Sequence, residues 1–133
     1  MVKHQVRILV RDDNAVAWSA LEARKLAKTI GYDEHIGQMI ATAVSELAYN
    51  IVKYAGRGEI LMGQITAGSR VGLEVVARDK GPGIEDTQQA MADRFSSGGT
   101  LGLGLPGVKR LMDEFSLDSA PGEGTRVIAR TWI

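Results

Sequence analysis

The order of predicted strands and helices constrains the fold of this chain more than any single motif. Strands are predicted at 5–10, 59–66, 71–79, 116–120 and 125–133. Helices are predicted at 12–31 and 33–55. Most of the strands are sequence neighbours and do not alternate one by one with helices. This order favours a mixed, mainly antiparallel sheet with helices layered on one face over a doubly wound parallel sheet.

Two further predicted helices flank a stretch that is rich in glycine. Residues 86–95 fit a short helix, and Pro106 in a first turn favours a helix from Leu105 to about Phe115. Between them, 98-GGTLGLGLPG-107 places five glycines in ten residues. Because glycine loses the most conformational entropy on folding, such a run is costly and indicates a structural or functional role. It predicts a mobile loop or a backbone that approaches a ligand closely.

The composition argues against several classes of protein. Sixteen basic residues balance sixteen acidic ones, so no nucleic-acid partner is expected. The absence of cysteine excludes thiolate chemistry and suggests a reducing compartment. No signal peptide is expected, and no apolar run approaches the ~20 residues of a membrane helix. We expect one domain, soluble and cytoplasmic, with no membrane partner.

The first candidate site lies in 45-SELAYNIVKYAG-56, within the second predicted helix. Glu46 and Asn50 are four residues apart, so they share one face of the helix about one turn apart. One interpretation of the pair is a solvated helix edge. The other is a carboxylate base beside an amide oxygen that binds Mg²⁺, a cation that prefers oxygen ligands.

Two more candidate sites lie where predicted strands meet turns. Asp79 in 79-DKGPGI-84 ends a strand, and Gly81 and Gly83 would let the backbone approach a flat ring. Thr125 in 122-GEGT-125 follows a turn between the last two strands, where its hydroxyl could bond a ligand. An ordinary turn is the alternative interpretation of both stretches.

The glycine-rich stretch matches neither common phosphate-binding motif. The P-loop motif needs a Lys-Ser or Lys-Thr pair after its glycines, and none follows here. The G-x-G-x-x-G spacing occurs at 102–107, but a predicted helix and a loop precede it, whereas a Rossmann fold has a strand there. A glycine loop that leads into a helix can still bind phosphate through backbone N–H groups. A flexible surface loop is the alternative.

The four stretches, in this order, resemble the four motifs of the GHKL ATPase/kinase superfamily. The motifs are an E-x-x-x-N helix, D-x-G-x-G after a strand, a glycine-rich loop before a helix, and G-x-G-T. The resemblance implies that residues 1–133 form a single GHKL ATP-binding kinase domain. The implied fold is the Bergerat α/β (α+β) two-layer sandwich with a glycine-rich ATP lid.

Within the superfamily, the chain most resembles the anti-sigma-factor type of serine/threonine protein kinase. We expect no room for the transducer domains of gyrase, Hsp90 or MutL. His4 and His35 are not followed by the helical hairpin expected of a histidine kinase.

The resemblance implies ATP and Mg²⁺ as cofactors and assigns roles to individual residues. Glu46 would be the general base, Asn50 would hold Mg²⁺, and Asp79 would accept a hydrogen bond from the adenine amino group. Lys53 would contact phosphate, with a solvated lysine as the alternative. The implied nucleotide-binding residues are Asn50, Lys53, Asp79, Gly81, Gly83, Gly98, Gly99, Thr100, Leu101, Gly102, Leu103, Gly104 and Thr125.

The resemblance also implies protein partners. The substrate would be a serine or threonine of STAS-domain antagonist or scaffold proteins of a stressosome, and the released kinase would activate a PP2C-type phosphatase or another downstream regulator. The alternatives are an anti-sigma factor that binds a sigma factor directly, a non-catalytic nucleotide-gated binding module, and a detached piece of a histidine kinase. Trp18 is expected in the core, with a partner surface as its alternative.

Overall fold

The computed structural model describes residues 2–83 and 104–133. The strands in these ranges are β1 (Val2–Val10), β2 (Gly58–Ala67), β3 (Arg70–Asp79), β4 (Glu114–Ser119) and β5 (Thr125–Trp132). The helices are α1 (Asp13–Ile30), α2 (Glu34–Ala55) and α3 (Leu105–Leu111). The short helix predicted at 86–95 lies outside the described residues.

The five strands form one sheet in the order β1-β2-β3-β5-β4, and every neighbouring pair is antiparallel. The pairs β2–β3 and β4–β5 are neighbours in sequence as well as in space. The last strand, β5, lies between β3 and β4, so the second half of the chain completes the sheet begun by the first half. The predicted α+β class with a mainly antiparallel sheet is confirmed.

Both long helices begin and end where the sequence predicts. The Asp12 carboxylate accepts a hydrogen bond from the Ala15 N–H at 2.9 Å, and the Asp33 carboxylate accepts one from the Ile36 N–H at 2.8 Å. Such caps contribute about 1 kcal/mol each. Gly31 and Gly56 follow the last helical residues. Among the described helices, none has the length and apolar composition needed to cross a membrane.

The core lies between the two long helices and one face of the sheet. Ile40 and Leu47 of α2 pack there with the alternating inward residues of the strands, among them Ile60, Leu73 and Val75. The residues between them, such as Glu59, Glu74 and Arg78, lie on the outer face and are partly or fully exposed. This alternation is the one expected of an antiparallel sheet with helices on one face.

The predicted helix from Leu105 to Phe115 begins correctly but ends too late. The structure ends α3 at Leu111 and places Phe115 in β4, opposite Ala129 of β5. Local periodicity favours a longer helix, but a strand at 114–119 pairs its backbone with β5 and completes the sheet. Long-range pairing therefore overrides the local pattern here.

The expectation that Trp18 is buried in the core is wrong. Its side chain is 51% exposed, with the Lys25 ammonium 5.9 Å from the centre of its ring. The buried residues of α1 are Ser19, Ala23, Leu26 and Ala27. They recur every three or four residues and form the face that packs on the core, and Trp18 lies outside that face.

Candidate active site

The carboxylate of Glu46 is buried in the middle of α2. Its exposed fraction is 3%, and among the described residues the other buried polar side chains, Ser19 and Thr131, are hydroxyls. For Glu46, the interpretation as a solvated helix edge is therefore wrong. Burying a carboxylate costs free energy that an apolar residue would avoid. Such a residue is a candidate for a functional role.

Asn50 and Lys53 continue from Glu46 toward the C-terminal end of α2. Asn50 is half-buried, and Lys53 is exposed, with its ammonium 5.9 Å from the Tyr49 ring and 5.4 Å from the Tyr54 ring. The helix thus offers a buried carboxylate, then a half-buried amide, then an exposed ammonium. This gradient suits a ligand whose charged end approaches from solvent.

Asp79 ends β3 beside two other strand termini. It is paired with Gly58 of β2 and Thr125 of β5. Its Oδ1 atom accepts a hydrogen bond from the Gly81 N–H at 2.8 Å. Burial raises the pKa of the Asp79 carboxyl, and backbone hydrogen bonds from Gly81 and Thr125 offset part of that rise. When ionised, this half-buried side chain is only a hydrogen-bond acceptor.

The loop after Asp79 lies directly against the end of α2. A Cβ atom on Gly81 would lie 2.6 Å from the Cβ of Ala55, the last residue of the helix. That distance is too short for two carbon atoms, so only glycine allows the loop to lie so close. The contact brings the second candidate stretch against the helix that carries Glu46 and Asn50.

The same loop also holds the turn between β4 and β5. Gly83 has a φ of 79°, and a Cβ there would overlap the carbonyl oxygen of Ala120. The Gly122 N–H donates a hydrogen bond to the Pro82 carbonyl at 2.7 Å. The structure therefore joins the fourth candidate stretch to the second.

Ser119 is a residue of the site that the sequence analysis missed. Its hydroxyl oxygen lies 2.7 Å from that of Thr125, and the two residues are paired across β4 and β5. This contact fixes the Thr125 hydroxyl beside the Asp79 loop. The signal was available, because the tight turn at 121–124 makes Ser119 and Thr125 facing residues of a hairpin.

The glycine-rich stretch is described only from Gly104 onward. Gly98, Gly99, Thr100, Leu101, Gly102 and Leu103 lie outside the described residues. Gly104 has a φ of 71° and precedes α3, which begins at Leu105 as predicted. Leu105 and Val108 are buried, and α3 packs against α2. The C-terminal end of the stretch is thus attached to the helix that carries Glu46 and Asn50.

Residues 8–131 match the family model for the histidine kinase-like ATPase domain. The chain belongs to this family. Its predicted place in the GHKL superfamily is therefore confirmed, and the match spans all four candidate stretches.

Two kinds of relative resemble the chain over most of its length. It is 49% identical over 120 residues to the serine/threonine-protein kinase RsbT of Bacillus subtilis, covering 87% of this chain and 90% of RsbT. It is 35% identical over 100 residues to an anti-sigma F factor of Thermoanaerobacter sp., covering 71% of this chain and 68% of that protein. The predicted enzyme class, an ATP-dependent serine/threonine protein kinase, is confirmed.

A solved structure shows the same fold. The histidine kinase domain of the blue-light-activated histidine kinase from Erythrobacter litoralis EL346 matches with a TM-score of 0.53 and 19% identity. The match covers 87% of this chain and 59% of that structure. It agrees with the layered arrangement described above.

Proposed function

We propose that this chain is a partner-switching kinase that transfers the γ-phosphoryl group of ATP to a serine or threonine of a STAS-domain protein. The observation that carries the proposal is the buried carboxylate of Glu46 one helical turn from Asn50, on a helix that touches the Asp79 loop. The similarity to RsbT supports the same reading.

The residues present fit a nucleotide and its magnesium ion. Asp79 is an acceptor for the adenine amino group, and Gly83 and Thr125 lie in the loop and the strand beside it. The amide oxygen of Asn50 is a hard ligand, and Mg²⁺ accepts a single protein ligand when phosphates and water supply the others. When bound, ATP would supply the phosphoryl group, and Mg²⁺ would offset the negative charge of the phosphates.

Residues 98–104 are proposed as the lid over the phosphates. Gly104 connects this stretch to α3, which is anchored by the buried side chains of Leu105 and Val108. A loop with a fixed end and many glycines can close on a ligand and exclude water. Lys53, exposed at the end of α2, is proposed as a phosphate contact.

Glu46 is proposed as the general base. Its carboxylate would accept the proton of the substrate hydroxyl as that oxygen attacks phosphorus, and it would orient the hydroxyl beforehand. Because the side chain is buried within α2, it is held in place and screened from water. Phosphoryl transfer depends chiefly on positioning and charge stabilisation.

The remaining part of the proposal concerns what the kinase binds. In the cytoplasm, a stressosome of STAS-domain proteins would hold the kinase, become phosphorylated and release it. The free kinase would then bind and activate a PP2C-type phosphatase or another downstream regulator. A second candidate is direct binding of a sigma factor, which the 35% identity to anti-sigma F factors favours.

Phosphotransfer is the test of this proposal. The protein is mixed with γ-labelled ATP, Mg²⁺ and STAS-domain proteins of its own organism, beside Glu46→Ala and the near-isosteric Glu46→Gln. Label is expected on a STAS serine or threonine, with the rate lowered ~10²–10⁴-fold in both variants. Nucleotide affinity, measured separately by calorimetry, should stay close to that of the parent protein.

Two results would contradict the proposal in different ways. If Glu46→Gln lost ATP affinity as severely as Asp79→Asn, Glu46 would be a binding residue and not the base. If the parent protein bound ATP tightly but labelled no STAS protein, the substrate assignment would be wrong. A sigma factor retained by the protein in a pull-down would then favour the second candidate.

A further inference from the structure

The outer face of the sheet carries an open concavity of about 880 Å³ at one end. It lies where β1 ends, β2 begins, β3 ends and β5 begins, since Val10, Gly58, Asp79 and Thr125 are register partners across these strands. The helices pack on the opposite face. We call this concavity the strand-end basin.

The strand-end basin concentrates positive charge in a chain whose net charge is zero. Six of the sixteen basic residues line it, together with four carboxylates. The basic residues are Arg7, Arg11, Arg57, Arg78, Lys80 and Arg126. The basin therefore has a local excess of two positive charges.

In the described part of the chain, half of these cations form no ion pair with a carboxylate. Arg11, Arg57 and Lys80 are exposed, and within residues 2–83 and 104–133 none of them lies within 4 Å of an acidic group. Arg11 directly follows β1, Arg57 directly precedes β2, and Lys80 directly follows β3. The three therefore lie at the neighbouring ends of three adjacent strands.

Two more arginines keep donors available. Glu59, whose side chain is 12% exposed, accepts a hydrogen bond from Nε of Arg7 at 2.6 Å and one from Nε of Arg78. A guanidinium carries five N–H donors. Both arginines therefore bind Glu59 through one edge, and Glu59 holds them so that their terminal amino groups remain available to a ligand.

The width of the basin indicates the size of its ligand. Basic residues lie on β1, β3 and β5 and directly before β2, so they extend across four adjacent strands from Arg7 to Arg126. Because adjacent strands are 4.7–4.9 Å apart, this row spans about 14 Å, the length of about four residues of extended chain. A single phosphate could reach only part of it, whereas a peptide segment could cross all of it.

The carboxylates argue for a protein and against a nucleic acid. Asp118 pairs with Arg126 at 3.5 Å on the β4 side, and Glu123 lies in the turn beyond it. A phosphate backbone, negative along its whole length, would meet both. In the next row across the face, the apolar residues Leu61, Val76 and Ile128 are register partners, with Arg7 beside Leu61 on β1.

We propose that the strand-end basin is a docking surface for an acidic segment of a protein partner. Aspartate or glutamate side chains of that segment would lie over the ends of β1, β2 and β3, and its apolar side chains over Leu61 and Val76. Asp79 and Thr125, assigned above to the proposed nucleotide site, border the basin, so the variants that test the proposal leave them unchanged. The partner would lie across the sheet from α2, so it need not be the substrate.

A direct binding measurement tests the proposal. The probe is a short fluorescent peptide rich in aspartate, glutamate and leucine, and binding to the full chain is followed by anisotropy at low salt. The parent protein is expected to bind, and salt should weaken binding because the charges are exposed. The double variant Arg11→Glu/Arg57→Glu should weaken it by about tenfold or more.

A matched control separates the basin from net charge. The double variant Arg24→Glu/Lys28→Glu makes the same change in charge on α1, which lies on the helical face. It should leave peptide affinity within about twofold of the parent value, because charges on the far side of the protein are screened. Equal weakening by both double variants would overturn the proposal. So would equal binding of a peptide with glutamine and asparagine in place of the acidic residues.

Two further measurements locate the site and identify the class of ligand. Backbone amide shifts on addition of the peptide should be confined to residues 7–11, 57–61, 76–80 and 118–128 of the described chain. Shifts concentrated on α1 would contradict the proposal. A DNA duplex and anionic vesicles are tested beside the peptide. If either bound more tightly than the peptide and lost that binding in Arg11→Glu/Arg57→Glu, the basin would belong to a different class of partner and the proposal would be overturned.

Discussion

At the scale of single residues, Asp79, proposed as the adenine acceptor, is a carboxylate held at a cost in stability. Burial raises the pKa of its carboxyl, so at neutral pH the ionised form is held in an environment that disfavours it. The free-energy cost is present above the raised pKa and disappears as the pH falls through it, because the folded state then takes up a proton more readily than the unfolded chain.

The first prediction follows for Asp79→Asn. The amide oxygen can still accept the Gly81 N–H, and the charge is gone, so the variant should melt at the same temperature as the parent protein or higher at pH 7. Any gain should shrink as the pH falls through the raised pKa. Calorimetric melting at several pH values measures both. A clear loss of stability at pH 7 would show that the backbone hydrogen bonds from Gly81 and Thr125 need both carboxylate oxygens.

Nucleotide affinity should change in the opposite direction to stability in Asp79→Asn. Adenine offers an N–H donor, and an asparagine side chain can present its own N–H₂ to that group instead of an acceptor. The variant should therefore bind ATP at least tenfold more weakly, a loss of about 1.4 kcal/mol. Titration calorimetry with ATP and Mg²⁺ measures it. Unchanged affinity would remove Asp79 from the nucleotide site.

At the scale of elements, the site is assembled by one loop that touches both α2 and the β4–β5 turn. Gly81 contacts Ala55 and Gly83 contacts Ala120. Changes in this loop should therefore affect parts of the site that are distant in sequence.

The second prediction is that Gly83→Ala disrupts nucleotide binding. The added Cβ would overlap the Ala120 carbonyl oxygen and would also be strained by the positive φ of 79°. We expect a loss of about 1–3 kcal/mol in stability together with weaker ATP affinity. Gly68→Ala is the matched control, because its φ is 63° but no atom lies within 4 Å of the added Cβ. If both variants bound ATP alike, the loop–turn contact would have no part in the site.

The third prediction concerns the ion pairs across the outer face. Hydrogen bonds from Arg7 and Arg78 hold the pKa of Glu59 below its ordinary value of 4.5. The stabilisation is therefore present above pH 4.5 and is lost as the pH falls through the lowered pKa. Glu59→Gln should cost about 1 kcal/mol at pH 7, as expected for ion pairs whose arginines are more than half exposed.

Urea unfolding at pH 7 and at a pH below the lowered pKa measures the difference in unfolding free energy between the parent protein and Glu59→Gln. This difference should disappear at the lower pH, where Glu59 is itself uncharged. Asp118→Asn serves as a control, because its pair with Arg126 joins two side chains that are more than half exposed and should contribute less. A difference that persisted unchanged at low pH would point to packing and not to charge.

At the scale of the whole molecule, the core joins the helices to all the strands, so ligand binding should stabilise the protein as a unit. The fourth prediction is that Mg·ATP raises the melting temperature by an amount that follows its concentration. At a hundred times the dissociation constant, the gain is about 2.7 kcal/mol. Differential scanning fluorimetry measures it. Asp79→Asn should need far more nucleotide for the same shift, and an equal shift in both proteins would indicate binding elsewhere.

Several features were predictable because their causes are local. Asp12 and Asp33 cap their helices through bonds three residues away, and Gly31 and Gly56 end them. The spacing of Glu46 and Asn50 on one helix face is equally local. The family followed from four short stretches and their order along the chain.

Other features depend on atoms that are distant in sequence, and only the tertiary structure decided them. The pairing of β4 with β5 ends α3 at Leu111, and the packing of α1 through Ser19, Ala23, Leu26 and Ala27 leaves Trp18 exposed. The burial of Glu46 and the raised pKa of Asp79 arise from neighbours on other elements. Spacing along a chain determines which residues share a face, but whether that face meets water depends on what packs against it.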